Sequence, residues 1–147
     1  MFPMNQPRQR IVTKGTLMHV TEHVWFRVLF ERRFIPQSIH HNNKNIFLIG
    51  PMGSGKTTVG GIVAKVLAKE FHDTDQEIEV STGVDISYVF DVEGETGFRK
   101  REEKLVAVIT QKKNIVLATG GGAIESENNR RCLANNGFVI YLETSLE

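Results

Sequence analysis

Ile46-Phe47-Leu48-Ile49-Gly50-Pro51-Met52-Gly53-Ser54-Gly55-Lys56-Thr57-Thr58 is the stretch that decides the fold. Its first four residues are an apolar run closed by Gly50 and Pro51, the signature of a buried parallel strand. From Thr57 to Leu67 the apolar residues Val59, Ile62, Val63, Val66 and Leu67 fall at helical spacing. Gly60 and Gly61 weaken that helix by about 1 kcal/mol each relative to alanine. Between strand and helix, Gly50 to Thr57 fits G-x-x-x-x-G-K-[ST], in the context a phosphate-binding loop requires. Glycines let the backbone curl until several N–H groups point at one anion, and the helix N-terminus adds partial positive charge. Gly53, Ser54, Gly55, Lys56, Thr57 and Thr58 are therefore the predicted polyphosphate cradle. Lys56 reaches the outer phosphates, Thr57 offers its hydroxyl to Mg²⁺ and Thr58 holds the inner phosphate.

Working outward, strands and helices alternate. Phe71 leads a short strand into Asp73-Thr74-Asp75, and Gln76 to Val80 reads as a helix that stops near Gly83. Asp85 is a candidate N-cap for a helix over Ile86 to Phe90, followed by a loop at Glu93–Gly97. A further helix is predicted over Phe98 to Gln111, with Phe98, Leu105, Val108 and Ile109 facing inward. Ile115 to Ala118 is a buried strand stopped by Gly120-Gly121-Gly122. A helix from Glu127 to Asn135 ends at Asn136-Gly137, and Phe138 to Leu142 is the final strand. Such alternation predicts an α/β layered fold on a parallel sheet. The last strand is expected to lack an outer neighbour if the sheet normally continues past it.

Three further groups carry candidate chemistry. Asp73 and Asp75 sit at the carboxyl end of a strand, where open α/β sheets bind ligands. One carboxylate can hold a metal-bound water and the other can take a proton from a hydroxyl; equally, Asp75 can cap the helix it precedes. Arg99, on the first turn of its helix, can grip a carboxylate through two parallel hydrogen bonds, with Glu102 and Glu103 placed to orient it. Lys100, Arg101 and Lys104 beside it also allow a plain surface charge network. Gly120-Gly121-Gly122 permits close backbone approach to a ligand, or is a simple loop.

Composition bounds the rest. At 147 residues with 40% hydrophobic and 24% charged residues the chain suits one soluble domain, and it contains no apolar run long enough to span a membrane. Cys132, the single cysteine, precludes an internal disulfide, fits a reducing, cytoplasmic compartment, and reads as a small half-buried helical residue. The net charge of +1 hides a basic head, where Arg8, Arg10, Lys14, Arg27, Arg32 and Arg33 face only Glu22 and Glu31. Residues 1–44 are expected to be a poorly ordered extension, although Val20, Val24, Trp25, Val28 and Leu29 share one helical stripe. Without an aromatic stacking platform, the head is not expected to bind nucleic acid.

In this order, GPMGSGKTT (50–58), FHDTDQEIE (71–79), GETGFRKREE (94–103), LATGGGA (117–123) and VIYLE (139–143) resemble the shikimate kinase family. The resemblance runs from Asn45 to Glu147. It implies a P-loop NTPase-like, doubly wound parallel sheet with helices on both faces and a helical substrate region at about residues 75–111. The implied reaction moves the γ-phosphoryl of ATP to a hydroxyl of shikimate with Mg²⁺, in aromatic amino acid biosynthesis, by a monomer. By this resemblance Gly53–Thr58 would hold ATP and Thr57 the Mg²⁺, with Asp73 touching the metal through water. Asp75 would bind the attacking hydroxyl as base, Arg99 would clamp the shikimate carboxylate with Glu102 nearby, and Gly121 would contact substrate. Two departures stand out. Gly61 replaces the family's usual arginine, and the family's lid, a later substrate-binding arginine and its last strand and helix have no counterpart before Glu147. The expectation is a truncated chain of weak or no activity. Rival readings are a non-catalytic nucleotide-binding fragment or a relative acting on another small polyol, such as a gluconate kinase.

Overall fold

The computed structural model of the protein describes residues 9–13, 16–20 and 44–144. Its elements are β1 (Gln9–Thr13), β2 (Thr16–Val20), β3 (Asn45–Ile49), α1 (Lys56–Leu67), β4 (Glu70–Asp73), α2 (Thr74–Thr82), α3 (Ile86–Ile109), β5 (Ile115–Ala118), a 3₁₀ turn (Ala123–Glu125), α4 (Glu127–Asn136) and β6 (Gly137–Thr144).

One sheet runs in the order β2-β1-β6-β3-β5-β4. The four strands β6, β3, β5 and β4 are parallel, as a chain alternating strand and helix demands. Successive side chains of a strand point to opposite faces, so each central strand feeds two cores. Ile46, Leu48 and Val116 pack with Ala64 of α1 and Leu142. Phe47, Ile115 and Leu117 pack on the other face with Val106 and Ile109 of α3 and Leu133 of α4. Both faces of the sheet are thus covered, and the doubly wound α/β expectation holds. A third cluster, Ile78, Val89 and Phe98, joins α2 to α3, with Phe90 stacked on Phe98 at 4.5 Å.

Several local expectations change. The polar boundary ends one residue earlier than its composition suggests. Asn45 is buried at the start of β3, where its side chain donates to Lys112 O at 2.7 Å and accepts from Ile115 N at 3.1 Å. Glu93–Gly97 is not a loop: α3 is helical on both sides of a single break at Gly94 (φ 68°, ψ 179°). Val108 is 68% exposed, whereas Val106 is fully buried. The inward stripe runs Phe98, Glu102, Val106, Ile109, and it includes a carboxylate that an apolar pattern skips. Neither glycine breaks α1. At Gly60 a Cβ would stand 2.5 Å from the Phe71 ring, so the helix lies close on β4, while Gly61 faces open space. The outer edge of β6, expected to be bare, pairs antiparallel with β1, which in turn pairs with β2. Val20 closes β2; Val24, Trp25, Val28 and Leu29 of the expected amphipathic stripe lie outside the described residues.

Candidate active site

The carboxyl ends of β3, β4 and β5 each deliver one part of the site: the loop after Ile49, the pair Asp73 and Asp75, and the glycines after Thr119. In the first of these, Gly53 and Gly55 take left-handed conformations (φ 76° and 82°), which lets the loop double back into α1. The first intrahelical bond is Val59 N to Gly55 O at 2.8 Å, so the N–H groups of Lys56, Thr57 and Thr58 precede the ladder, as at any helix start. Lys56 is 8% exposed and curls back over this loop, donating to Gly50 O at 2.8 Å, Pro51 O at 2.7 Å and Ser54 Oγ at 3.3 Å. Burial pushes its pKa down, and the carboxylates of Asp75 and Asp73 oppose that shift.

Thr57 Oγ1 donates to Asp73 Oδ2 at 2.6 Å, joining the loop to the end of β4. The other carboxylate oxygen of Asp73 accepts from Asp75 N at 3.0 Å and Gln76 N at 3.3 Å. Asp73 is therefore the residue that caps α2, and the capping role considered for Asp75 is corrected. That leaves the Asp75 side chain to the crevice. Burial and the neighbouring Asp73 charge raise its pKa, against the pull of Lys56 and Arg99. The Asp75 carboxylate is thus coupled electrostatically to both Lys56 and Arg99.

Arg99 stands one turn into the helical segment beyond Gly94. Its Nη1 donates to Glu102 Oε2 at 3.0 Å and its Nη2 to Glu95 Oε1 at 3.4 Å. The guanidinium presses on Gly122 so closely that any Cβ there would overlap it. Burial opposes the charge on Arg99, but the Glu102 and Glu95 hydrogen bonds and nearby carboxylates outweigh it, and its pKa rises. Glu102 is 1% exposed, and burial raises its pKa although Arg99 pulls it down. Its Oε1 and Arg99 Nε are buried without a partner. A Cβ on Gly120 would meet Glu102 Oε1 at 2.6 Å and Asp75 Oδ1 at 3.1 Å, so the two carboxyls flank one glycine. Gly121 lies against the backbone of Met52 in the phosphate-binding loop. Gly120-Gly121-Gly122 is the plane on which the three groups meet, rather than a plain loop.

Contacts among the described residues link Thr57 to Asp73, both Asp75 and Glu102 to Gly120, Gly121 to Met52, and Arg99 to Glu102 and Gly122. Thr74 was missed: it is fully buried, and its Oγ1 accepts from Gly120 N at 2.8 Å, tying α2 to the glycine loop. The only hint in sequence was its position between two aspartates. Glu95 was also missed as a partner of Arg99. A cavity of about 520 Å³ lies elsewhere, lined by Ile49, Arg130, Leu133, Phe138 and Val139 among others; none of the predicted site residues lines it. Among the described residues no cluster of three His, Cys, Asp or Glu side chains forms a metal centre, and no helix is long and apolar enough to cross a membrane.

The family model described as shikimate kinase matches residues 52–147. A shikimate kinase from Histophilus somni is 61% identical over 104 residues, 71% of this chain and 59% of its own length. One from Buchnera aphidicola is 60% identical, over 71% of this chain and 60% of its own. Among solved structures, the shikimate kinase from Acinetobacter baumannii in complex with shikimate is 49% identical with a TM-score of 0.71, covering 75% of this chain and 62% of that one. The shikimate kinase from Aquifex aeolicus is 33% identical with a TM-score of 0.66, covering 69% and 61%. The chain spans about 60% of the length of these curated relatives. The matched sequence and the matched backbone agree: the chain belongs to the shikimate kinase family.

Proposed function

We propose that this site transfers the γ-phosphoryl of ATP to a hydroxyl of shikimate. The observation that carries the reading is the glycine loop that brings the parts together: a Cβ on Gly120 would meet Asp75 Oδ1 at 3.1 Å, one on Gly121 the Met52 backbone and one on Gly122 the Arg99 guanidinium. A hydroxylated carboxylate gripped by the Arg99 guanidinium can then present a hydroxyl to Asp75 while its neighbour Lys56 holds the phosphates. Thr57 Oγ1 and Asp73 Oδ2, 2.6 Å apart, are hard oxygen donors of the kind Mg²⁺ takes together with phosphate and water. When bound there, Mg²⁺ supplies charge neutralisation of the phosphate oxygens.

Lys56 first exchanges its bonds to Gly50 O and Pro51 O for phosphate oxygens. The N–H groups of the loop and of the first turn of α1 hold the rest of the chain of phosphates. Asp75 accepts the proton as the substrate oxygen bonds to the γ-phosphorus, and the bond from phosphorus to the ADP oxygen breaks. The raised pKa of Asp75 makes it a better proton acceptor than an ordinary aspartate. Gly121, beside Met52, would let the substrate lie close to the loop. The single Cys132, half-buried in α4, fits the cytoplasm.

The test is ADP release by this protein with Mg²⁺, offering shikimate and gluconate separately. Shikimate-dependent release, slow as the sequence reading expects and weakened further in Lys56→Ala, is the expected result. Release with gluconate alone, or ATP binding without release on either acceptor, would replace this reading with one of its rivals.

A further inference from the structure

Arg99 is held by the helical segment that follows Gly94, since both its partners, Glu95 and Glu102, lie on that segment. Asp75 and the glycines it faces belong to other elements. The aim of the guanidinium therefore depends on how α3 bends at Gly94, the one residue inside it with non-helical backbone. Two side-chain pairs straddle the break: the rings of Phe90 and Phe98 stack at 4.5 Å in the core, and Arg101 pairs with Glu93 at the surface. Arg101 Nε donates to Glu93 Oε2 at 2.7 Å, and Arg101 Nη2 to Glu93 Oε1 at 2.5 Å. The two residues are eight positions apart, roughly 12 Å of rise in a straight helix, beyond the three- or four-residue spacing that brings side chains together. The bidentate bond exists because the helix is bent. Gly97 completes the arrangement: a Cβ there would be driven into Glu93 Cβ, so only glycine lets Glu93 come this close.

We propose that Arg101 is a positioning residue, which through its paired hydrogen bonds to Glu93 acts with the Phe90–Phe98 stack to fix the bend at Gly94 and thereby aims Arg99 at the substrate carboxylate. The proposal rests on the reading of Arg99 as the carboxylate grip. Both members lie at the surface, where an ion pair contributes little to stability, so its effect is one of angle. A planar fork tolerates angular error poorly when it must match a carboxylate at two points.

The bend can be measured without ligand. Nitroxide labels on cysteines replacing Tyr88 and Lys104, both exposed and on opposite sides of Gly94, in a Cys132→Ser background, report the distance across the break. Arg101→Leu should shift or broaden that distance distribution. Arg101→Lys, which keeps the charge and loses the fork, should do so partly, and the exchanged pair Glu93→Arg with Arg101→Glu should restore it. In parallel, shikimate binding should weaken by about tenfold in Arg101→Leu while ATP binding changes by less than about twofold; a general loss of structure would weaken both. An unchanged distance distribution in Arg101→Leu overturns the proposal, as does an altered bend with unaltered shikimate affinity. Should the unsubstituted protein bind no shikimate, the functional reading falls, and the label distances still decide the clamp.

Discussion

The proposed phosphate side and acceptor side of this site are built in different ways. On the phosphate side the groups that matter are main-chain N–H donors, two left-handed glycines and a lysine anchored within six residues of its partners. The acceptor side is made of side chains: Arg99 leans on Glu95, Glu102 and a glycine loop that Thr74 ties down from 46 residues away. The first is a local backbone shape. The second is a long-range assembly around buried charge, and changes should reach it more easily from a distance.

The two sides meet at Asp75, and replacing it gives the largest effect expected. Asp75→Asn keeps the shape and removes the proposed proton acceptor, so kcat should fall by about 10²–10⁴-fold with ATP affinity nearly unchanged, measured by steady-state ADP release and nucleotide titration. A comparable loss of ATP binding would show that the two sides are not separable. Arg99→Lys comes next. It keeps a cation beside buried Glu102, which would otherwise be left without its partner, but it loses the fork. The KM for shikimate should rise by about tenfold or more while the KM for ATP stays within about twofold. Equal rises in both would mean that Arg99 serves the crevice as a whole.

The smallest effect is on stability, and its sign is the informative part. Asp75 has its pKa raised by folding, so its protonated form is favoured in the native state. The associated stability is fully present below the ordinary aspartate pKa and is lost as pH rises through the raised value. Asp75→Asn should therefore melt a few degrees higher than the parent at neutral pH, with the gap closing as pH falls through the carboxylate range. A lower melting temperature for Asp75→Asn at neutral pH would show that attraction to Lys56 and Arg99 outweighs desolvation.

This contrast also explains what the sequence made legible. The strand, loop and helix around Lys56 are local, and their residues could be assigned roles from spacing alone. Asp73 and Asp75 could be found but not told apart, because capping depends on which oxygen turns toward the Asp75 and Gln76 N–H groups. On the acceptor side the apolar pattern of α3 pointed to Val108 because it could not foresee Glu102 as a buried member of the stripe. From sequence Gly94 reads as part of a loop, since nothing nearby announces a bond between Arg101 and Glu93. The pairing of β1 with β6 was beyond reach for a similar reason: it joins residues more than a hundred positions apart, and neither strand specifies its partner.

The hydrogen bonds of Lys56 to Gly50 O and Pro51 O also bear on turnover. A buried ammonium stripped of partners is costly, and a loop that needed its polyanion to satisfy the lysine would hold on to it. Here two carbonyls stand ready to take the ammonium back whenever the anion departs. Capture and release of an anion then become an exchange between comparable partners, so the loop can grip a polyanion firmly and still let it go.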